Sequence, residues 1–343
     1  MIVLLSGQIK NIGDFLITER GRRLFEALLD PEIVKLDRTK PLDEHLELIN
    51  KSRFVVLCGG PAYAPNIYGG IYPLVDDLEK IKVPIIPFGL GWCGRPAGDP
   101  ESFGFDQKSK EFLRRVHQQL EYSSCRCDLT HRVLKNNGFD NVLMTGCPVW
   151  YDLDSIGKPF QCPEEVRKIV FTTAADPKAI GQTLKLVKLI TTKFPKAEII
   201  LSYHRGILPD RHTTIRAAAG YMTMALGSIL LNPRVKVRDV AYDLEKLNFY
   251  DDCDFHLGYR VHAHLYFLSK RLPSVLINED GRGRGMVETM DLPVFNVDDP
   301  ELINRVGSLI DTYKKTNFSD FERVGNYLDS HFEVMKKFMN SLP

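Results

Sequence analysis

The sequence predicts an α/β protein of two Rossmann-like domains whose parallel sheets face a central cleft. Three observations predict it. Short apolar runs alternate with stretches of helical periodicity, the pattern of parallel strands joined by crossover helices. The alternation stops in a segment rich in Pro, Gly and Asp, 148–163, and then restarts. The chain has 343 residues, 44% apolar and 26% charged, enough for two cores.

The elements follow in order. Residues 2–6 read as a first buried strand. A helix over 14–29 shows one apolar face through Phe15, Leu16, Leu24, Phe25 and Leu28, and Pro31 stops it. A strand at 53–58 ends in Gly59-Gly60-Pro61, and one at 84–88 ends in Gly89-Leu90-Gly91. Between them 72–80 reads as helical. A helix at 107–119, a strand at 122–124, a helix at 128–136 stopped by Gly138, and a strand at 142–145 complete the first series. In the second series, strands are expected at 169–173, 198–203, 235–240, 255–258, 274–277 and 294–297. Helices are expected at 177–194, 213–230, 262–270, 284–290, 301–315 and 321–339. Asp176 caps the first of these, with Pro177 at its opening position. The expected division is 1–155 and 156–300, with helices over 301–343 crossing back onto the first domain.

Charge and cysteine usage exclude several classes. Lys plus Arg is 45 and Asp plus Glu is 44, so nothing draws the whole chain to nucleic acid. Local arginines must do any anion binding. Residues 1–5 are apolar, but Asn11 and Asp14 soon follow, so they read as a strand and not a signal peptide. No apolar run approaches the ~18 residues of a membrane helix. Seven scattered cysteines fit reduced thiols and a cytoplasmic protein, with the inner face of the membrane as a further expected station. Cys125-Arg126-Cys127 is too tight for a zinc knuckle, and His256, His262 and His264 have no Cys or Glu to complete a set. No metal and no cofactor is expected.

The chemistry concentrates after strands, where open α/β sheets bind ligands. Arg260 and His262 follow the strand at 255–258, with Gly258 easing the turn. Two residues apart in an extended segment, they face one ligand. His262 can hold or release a proton near neutrality. His264 follows on the incipient helix, and His256 reads as a core residue. Arg126 can clamp a carboxylate or phosphate with two parallel hydrogen bonds; the plain alternative is a surface pair with Asp128. Gly7 to Asp14 offers a glycine-permitted turn carrying Asn11, Gly13 and Asp14, but neither a dinucleotide fingerprint nor a P-loop. Capping of the first helix explains Asn11 and Asp14 equally well. Gly60 and Gly91 allow close backbone approach to a ligand. Arg282-Gly283-Arg284-Gly285 reads as a flexible basic loop from which Arg282 or Arg284 reaches the cleft. His204 and Arg205 follow another strand.

The ordered set resembles the polysaccharide pyruvyl transferase family. The matching residues are Asn11-Ile12-Gly13-Asp14, Gly59-Gly60, Gly89-Leu90-Gly91, Ser124-Cys125-Arg126-Cys127-Asp128 and 254–263, where a strand runs into Arg260-x-His262-Ala263. The chain departs at Pro61, at the inserted Cys127, and at 278–282, where a Tyr-x-x-Lys is usual. The resemblance implies a GT-B-like fold and transfer of the enolpyruvyl part of phosphoenolpyruvate to a sugar or glycan, lipid-linked or free, as a cyclic ketal. It implies donor binding and catalysis by Arg126, Arg260 and His262. His262 would then act as acid and Asp14 as base to the sugar hydroxyl. Two other readings stand beside it. One is a glycosyltransferase holding a nucleotide-sugar, its ribose on Glu279 or Asp280. The other is a non-catalytic sugar-binding protein of the same fold.

Overall fold

The computed structural model describes residues 1–94 and 98–343. The first half runs β1 (Ile2–Ser6), α1 (Ile12–Leu29), β2 (Ile33–Asp37), α2 (Leu46–Lys51), β3 (Val55–Cys58), β4 (Pro61–Tyr63), β5 (Ile85–Phe88), β6 (Gly91–Trp92), α3 (Gln107–Gln118), β7 (Ser123–Cys125), α4 (Asp128–Asn136) and β8 (Val142–Met144). The second runs β9 (Lys168–Thr172), α5 (Ile180–Lys193), β10 (Glu198–Tyr203), α6 (Ile215–Leu231), β11 (Val235–Asp239), β12 (Phe255–Gly258), α7 (Val261–Ser269), β13 (Ser274–Leu276), α8 (Gly281–Thr289), α9 (Leu302–Lys315) and α10 (Glu322–Asn340).

Two parallel sheets form the core. The first has the order β2-β1-β3-β5. It continues through a bridge between Leu90 and Cys125 into the parallel pair β7-β8. The second has the order β11-β10-β9-β12-β13. Inner strands such as β1, β3 and β12 are buried along their whole length. That is the composition of a sheet covered on both faces by helices. The cleft between the sheets is bridged by main-chain bonds. Ile12 N–H donates to the His204 carbonyl at 3.1 Å, Tyr242 N–H to Lys10 at 3.1 Å, and Gly281 N–H to Gly94 at 3.1 Å. Phe338 of α10 stacks on Phe88 at 6.0 Å, and Arg53 donates to the Pro343 carbonyl at 2.9 Å, so the last helix lies on the first sheet's half.

Besides α2, β4 and β6, short elements absent from the expected order, four stretches differ from expectation. β2 was not anticipated, because its IVKLD run follows Pro31 directly and is only half-buried at a sheet edge. The helix expected at 72–80 is irregular, with one 3-10 turn at Leu78–Lys80. Pro73 and the positive φ of Leu74 (51°) break it. The strand expected at 294–297 is a single bridge between Asn278 and Asn296. The supposed basic loop at 282–285 is the first turn of α8, opened by Asp280, whose carboxylate accepts from Arg282 N–H at 3.0 Å.

Candidate active site

A cavity of about 390 Å³ lies where the carboxyl ends of both sheets meet, lined by Asn11, His204, Tyr259, Arg260, Val261, His262, Glu279, Asp280 and Arg282. A roomier groove of about 640 Å³ runs past Glu165, Val166 and Lys193. It sits at the amino end of β9, the wrong end for a ligand of a parallel sheet.

β12 delivers the core of the site. Gly258 approaches β9 so closely that a Cβ there would lie 2.4 Å from the Thr172 carbonyl oxygen. Thr172 then holds the turn, accepting from Tyr259 N–H at 3.0 Å and, through its hydroxyl, from Arg260 N–H at 3.2 Å. Arg260 becomes the N-cap of α7, and His262 falls in its first turn. The two reach the same cavity from a helix opening, not by strand alternation.

The facing wall comes from the first half. Gly13, in the first turn of α1, leaves the space that the His262 ring fills; a Cβ there would meet Nδ1 at 2.2 Å. Gly91 does the same for Arg126, whose Nε would lie 1.9 Å from an added Cβ. Both glycines therefore admit functional side chains instead of touching a ligand themselves. Gly60 plays a similar part beside Arg38, at 3.2 Å. Asn11 caps α1 and donates weakly to Asp14 at 3.4 Å, so capping and cavity lining coincide in one residue.

The charges are unbalanced and poorly satisfied. Arg126 is almost fully buried, yet its Nε and Nη2 have no hydrogen-bond partner among the described residues. The surface pair with Asp128 does not form; Asp128 instead opens α4, with its N–H on the Thr289 hydroxyl at 2.9 Å. Arg260 Nε, His262 Nε2 and His204 Nδ1 likewise find none among the described residues. Buried polar atoms normally find partners. Arg260, His262 and His204 bring such atoms to one cavity, and Arg126 lies within electrostatic reach of His262. Burial, then Arg126 and Arg282, push the His262 imidazole down to about 3, so the ring is neutral near pH 7. Burial raises the Asp14 carboxyl against the pull of Arg38 and Arg282. Burial also raises Glu279, which accepts from Ala175 N–H at 2.7 Å and faces Arg260.

Some expected site residues lie elsewhere. His264 shares the Ser274 hydroxyl with His256, each at 2.7 Å, inside the second core. Its first-turn position on α7 turns it away from the cavity. Arg284 pairs with Glu288 at 2.6 Å, one helical turn on, so it is drawn along α8 and does not line the cavity. Arg282 does line it, held by both oxygens of Asp280. Arg205 is exposed but within electrostatic reach of Asp14 and Arg260. His204 is fixed through Nε2 to Tyr250 at 2.8 Å. Arg38 was missed. It follows β2, lies 5.6 Å from the Tyr72 ring centre, and is the leading charge beside Asp14. Recognising β2 would have exposed it, as an arginine just past a strand like Arg126.

The family model described as polysaccharide pyruvyl transferase matches residues 11–281. The chain belongs to that family. This match spans every site element from Asn11 to Asp280. No curated protein matches the chain. Among solved structures, the S. aureus MnaA–UDP co-structure is similar over 100% of this chain and 98% of its own, with TM-score 0.58 and 13% identity. The UDP-GlcNAc 2-epimerase of Methanocaldococcus jannaschii, in complex with UDP-GlcNAc and UDP, gives TM-score 0.53 at 13% identity, covering 98% and 99%. That of Neisseria meningitidis, bound to UDP-GlcNAc, gives 0.52 at 12%, covering 99% and 100%. At such identities these likenesses establish a shared GT-B-type fold for this pyruvyl transferase family member, and no more.

Proposed function

We propose that the chain transfers the pyruvyl group of phosphoenolpyruvate to hydroxyls of a sugar or glycan, closing a cyclic ketal. The observation that carries this reading is that Arg260 and His262 bring side-chain nitrogens without a partner among the described residues to one cavity, with the buried Arg126 within electrostatic reach of His262. A small, strongly anionic donor would satisfy them, with Arg282 as a further clamp.

In this mechanism the arginines seat the carboxylate and phosphate. Burial chiefly, and their positive charge in addition, keep His262 neutral, and the donor offsets the arginines' part of that effect. His262 gains a proton and passes it to the C3 methylene. A sugar hydroxyl attacks C2 as Asp14 takes its proton, giving a tetrahedral carbon that bears methyl, carboxylate, phosphate and the new C–O bond. A second hydroxyl of the same sugar forms the other C–O bond as the C2–O bond to phosphate breaks, and its proton leaves with the phosphate, which closes the ring. Its position in the first turn of α1, beside Asn11 and within electrostatic reach of Arg38, supports that role for Asp14.

The test is direct. Calorimetry with phosphoenolpyruvate, UDP and a UDP-sugar identifies the donor class, and phosphate release with a panel of glycans identifies turnover. Binding of the UDP-sugar with no response to phosphoenolpyruvate would overturn the proposal and favour a glycosyltransferase whose ribose meets Glu279. Binding of phosphoenolpyruvate without phosphate release on any glycan would favour the non-catalytic reading.

A further inference from the structure

α6 is apolar on both sides. Ala218, Tyr221, Met224, Ala225 and Ser228 pack inward. On the outward side Ile215 (79% exposed), Met222, Leu226 (60%), Ile229, Leu230 (86%) and Leu231 face solvent. Exposed Leu208 lies in the loop leading to this helix. These seven side chains leave on the order of 700 Å² of apolar surface in water, above the roughly 300–600 Å² of the largest patch on a typical monomer. A helix apolar all round is normally covered on every side. The strip also ends beside the cleft: Lys10, next to Asn11, bonds Asp210 and Thr213 at 2.6 Å each, just ahead of α6.

Two covers fit the shape. Ile215, Met222 and Ile229 recur every seven residues, with exposed Ala219 and Leu226 between them, the spacing of a helix–helix seam. A second copy could therefore lie there. Charge decides against it. Between Arg205 and Arg238 stand five arginines and one lysine against a single carboxylate, Asp210, in a chain whose total is +1. Asp210 is already paired with Lys10, and Lys236 with Glu198. Among the described residues no carboxylate forms an ion pair with any of the five arginines. Arg211 and Arg216 stand at the opening of α6, and Arg234 just past its end. Basic groups at both ends oppose each other in a two-fold pair of either sense. They suit an apolar strip lying on an anionic surface.

We propose that the outward face of α6 docks on a bilayer containing anionic phospholipid. The apolar strip enters the headgroup boundary and the flanking arginines meet phosphates. No helix among the described residues is long and apolar enough to cross a membrane, so the attachment is peripheral. This inference does not depend on which donor the cleft takes.

Flotation with phosphatidylcholine vesicles, with and without phosphatidylglycerol, tests it on the full chain. Binding should be at least about tenfold tighter with phosphatidylglycerol and should weaken with salt. Leu226→Gln/Leu230→Gln should lower it about a hundredfold. Arg211→Gln/Arg216→Gln/Arg234→Gln should lower binding to the anionic vesicles about tenfold and leave the neutral ones unaffected. Thermal unfolding by circular dichroism checks that each variant is folded; all changes lie at exposed positions. Undiminished flotation of the folded leucine variant overturns the proposal. So does a wild type that fails to float. If that wild type sediments as a dimer and the leucine variant as a monomer, the second copy is the cover instead.

Discussion

His262 sits among Arg126, Arg282 and Arg260, with Asp280 the opposing charge, so its protonation follows whatever else enters the cleft. An anion that offsets the arginines raises its pKa from the low value that burial chiefly sets, and the proposed acid role requires the complex to hold a proton that the free protein lacks. Linkage sets the sign: affinity rises as pH falls through the neutral range. Calorimetry in buffers of different ionisation enthalpy should therefore show proton uptake on binding phosphoenolpyruvate. His262→Ala should remove that uptake while donor affinity stays within a few-fold, and phosphate release should fall about a hundredfold or more. Equal proton uptake in the Ala variant would move the acid elsewhere. Arg260 makes a separate prediction. Arg260→Lys keeps the charge but loses the two-pronged donor, and donor affinity should fall at least several-fold. Unchanged affinity in a folded variant would remove Arg260 from the anion site. At this scale the sequence was readable in location: it put Arg260 and His262 at the carboxyl end of β12, where they line the cavity. Arg38 was not readable, because its significance comes from a strand that local pattern did not reveal. His264 was over-read: three histidines close in sequence say nothing about which way a helix turns each one.

The elements place these side chains by opening helices at the cleft. α1, α7 and α8 begin there, with Asn11, Arg260 and Asp280 as their N-caps. Only Asp280 also grips a functional arginine, accepting from Arg282 Nε at 2.8 Å as well as from its main-chain N–H. Capping and positioning can be separated there. Asp280→Ala removes both and should lower stability by about 1 kcal/mol in urea unfolding. Asp280→Asn keeps the cap and should unfold like the parent. Both should slow phosphate release several-fold, because Arg282 loses its fixed orientation. A normal rate in the Asn variant would confine Asp280 to capping. The alternating strand-helix rhythm was largely legible, since buried parallel strands and stopped helices leave plain local marks at Pro31, Gly138 and Pro177. Irregular pieces were not. The stretch at 72–80 has helix-like composition, and only Pro73 argued otherwise. Residues 282–285 looked like a loop for their glycines, although Gly283 and Gly285 are needed for packing: an added Cβ would lie 2.4 Å from Asn278 and 2.7 Å from Cys127.

Across the whole molecule, burial of imidazoles is the dominant pH-sensitive feature. Seven of the nine histidines, at 117, 131, 204, 256, 262, 264 and 331, are held below their ordinary value, chiefly by burial. The folded protein takes up protons on these rings less readily than the unfolded chain, where each titrates near pH ~6.5. As pH falls through that value the unfolded state binds protons that the folded state refuses. Stability must then drop, with a slope of about 1.4 kcal/mol per pH unit for each ring that stays fully neutral. Above about pH 7.5 neither state is charged and the effect vanishes. Asp14 and Glu279, whose pKa values burial raises, act with the opposite sign. Their contribution is greatest at low pH and is lost as pH rises through their folded values, a window beginning near the ordinary carboxyl range of about 4. Between about pH 7.5 and 5.5 the histidines should prevail. The urea midpoint should be flat from pH 8.5 to about 7.5 and then fall by several kcal/mol equivalent by about pH 5.5. Phosphoenolpyruvate should lessen the fall, because a charged His262 in the complex no longer distinguishes folded from unfolded. A midpoint that stays flat down to pH 5.5 would show that the rings titrate normally, and would remove the physical basis for a donor-controlled proton at His262.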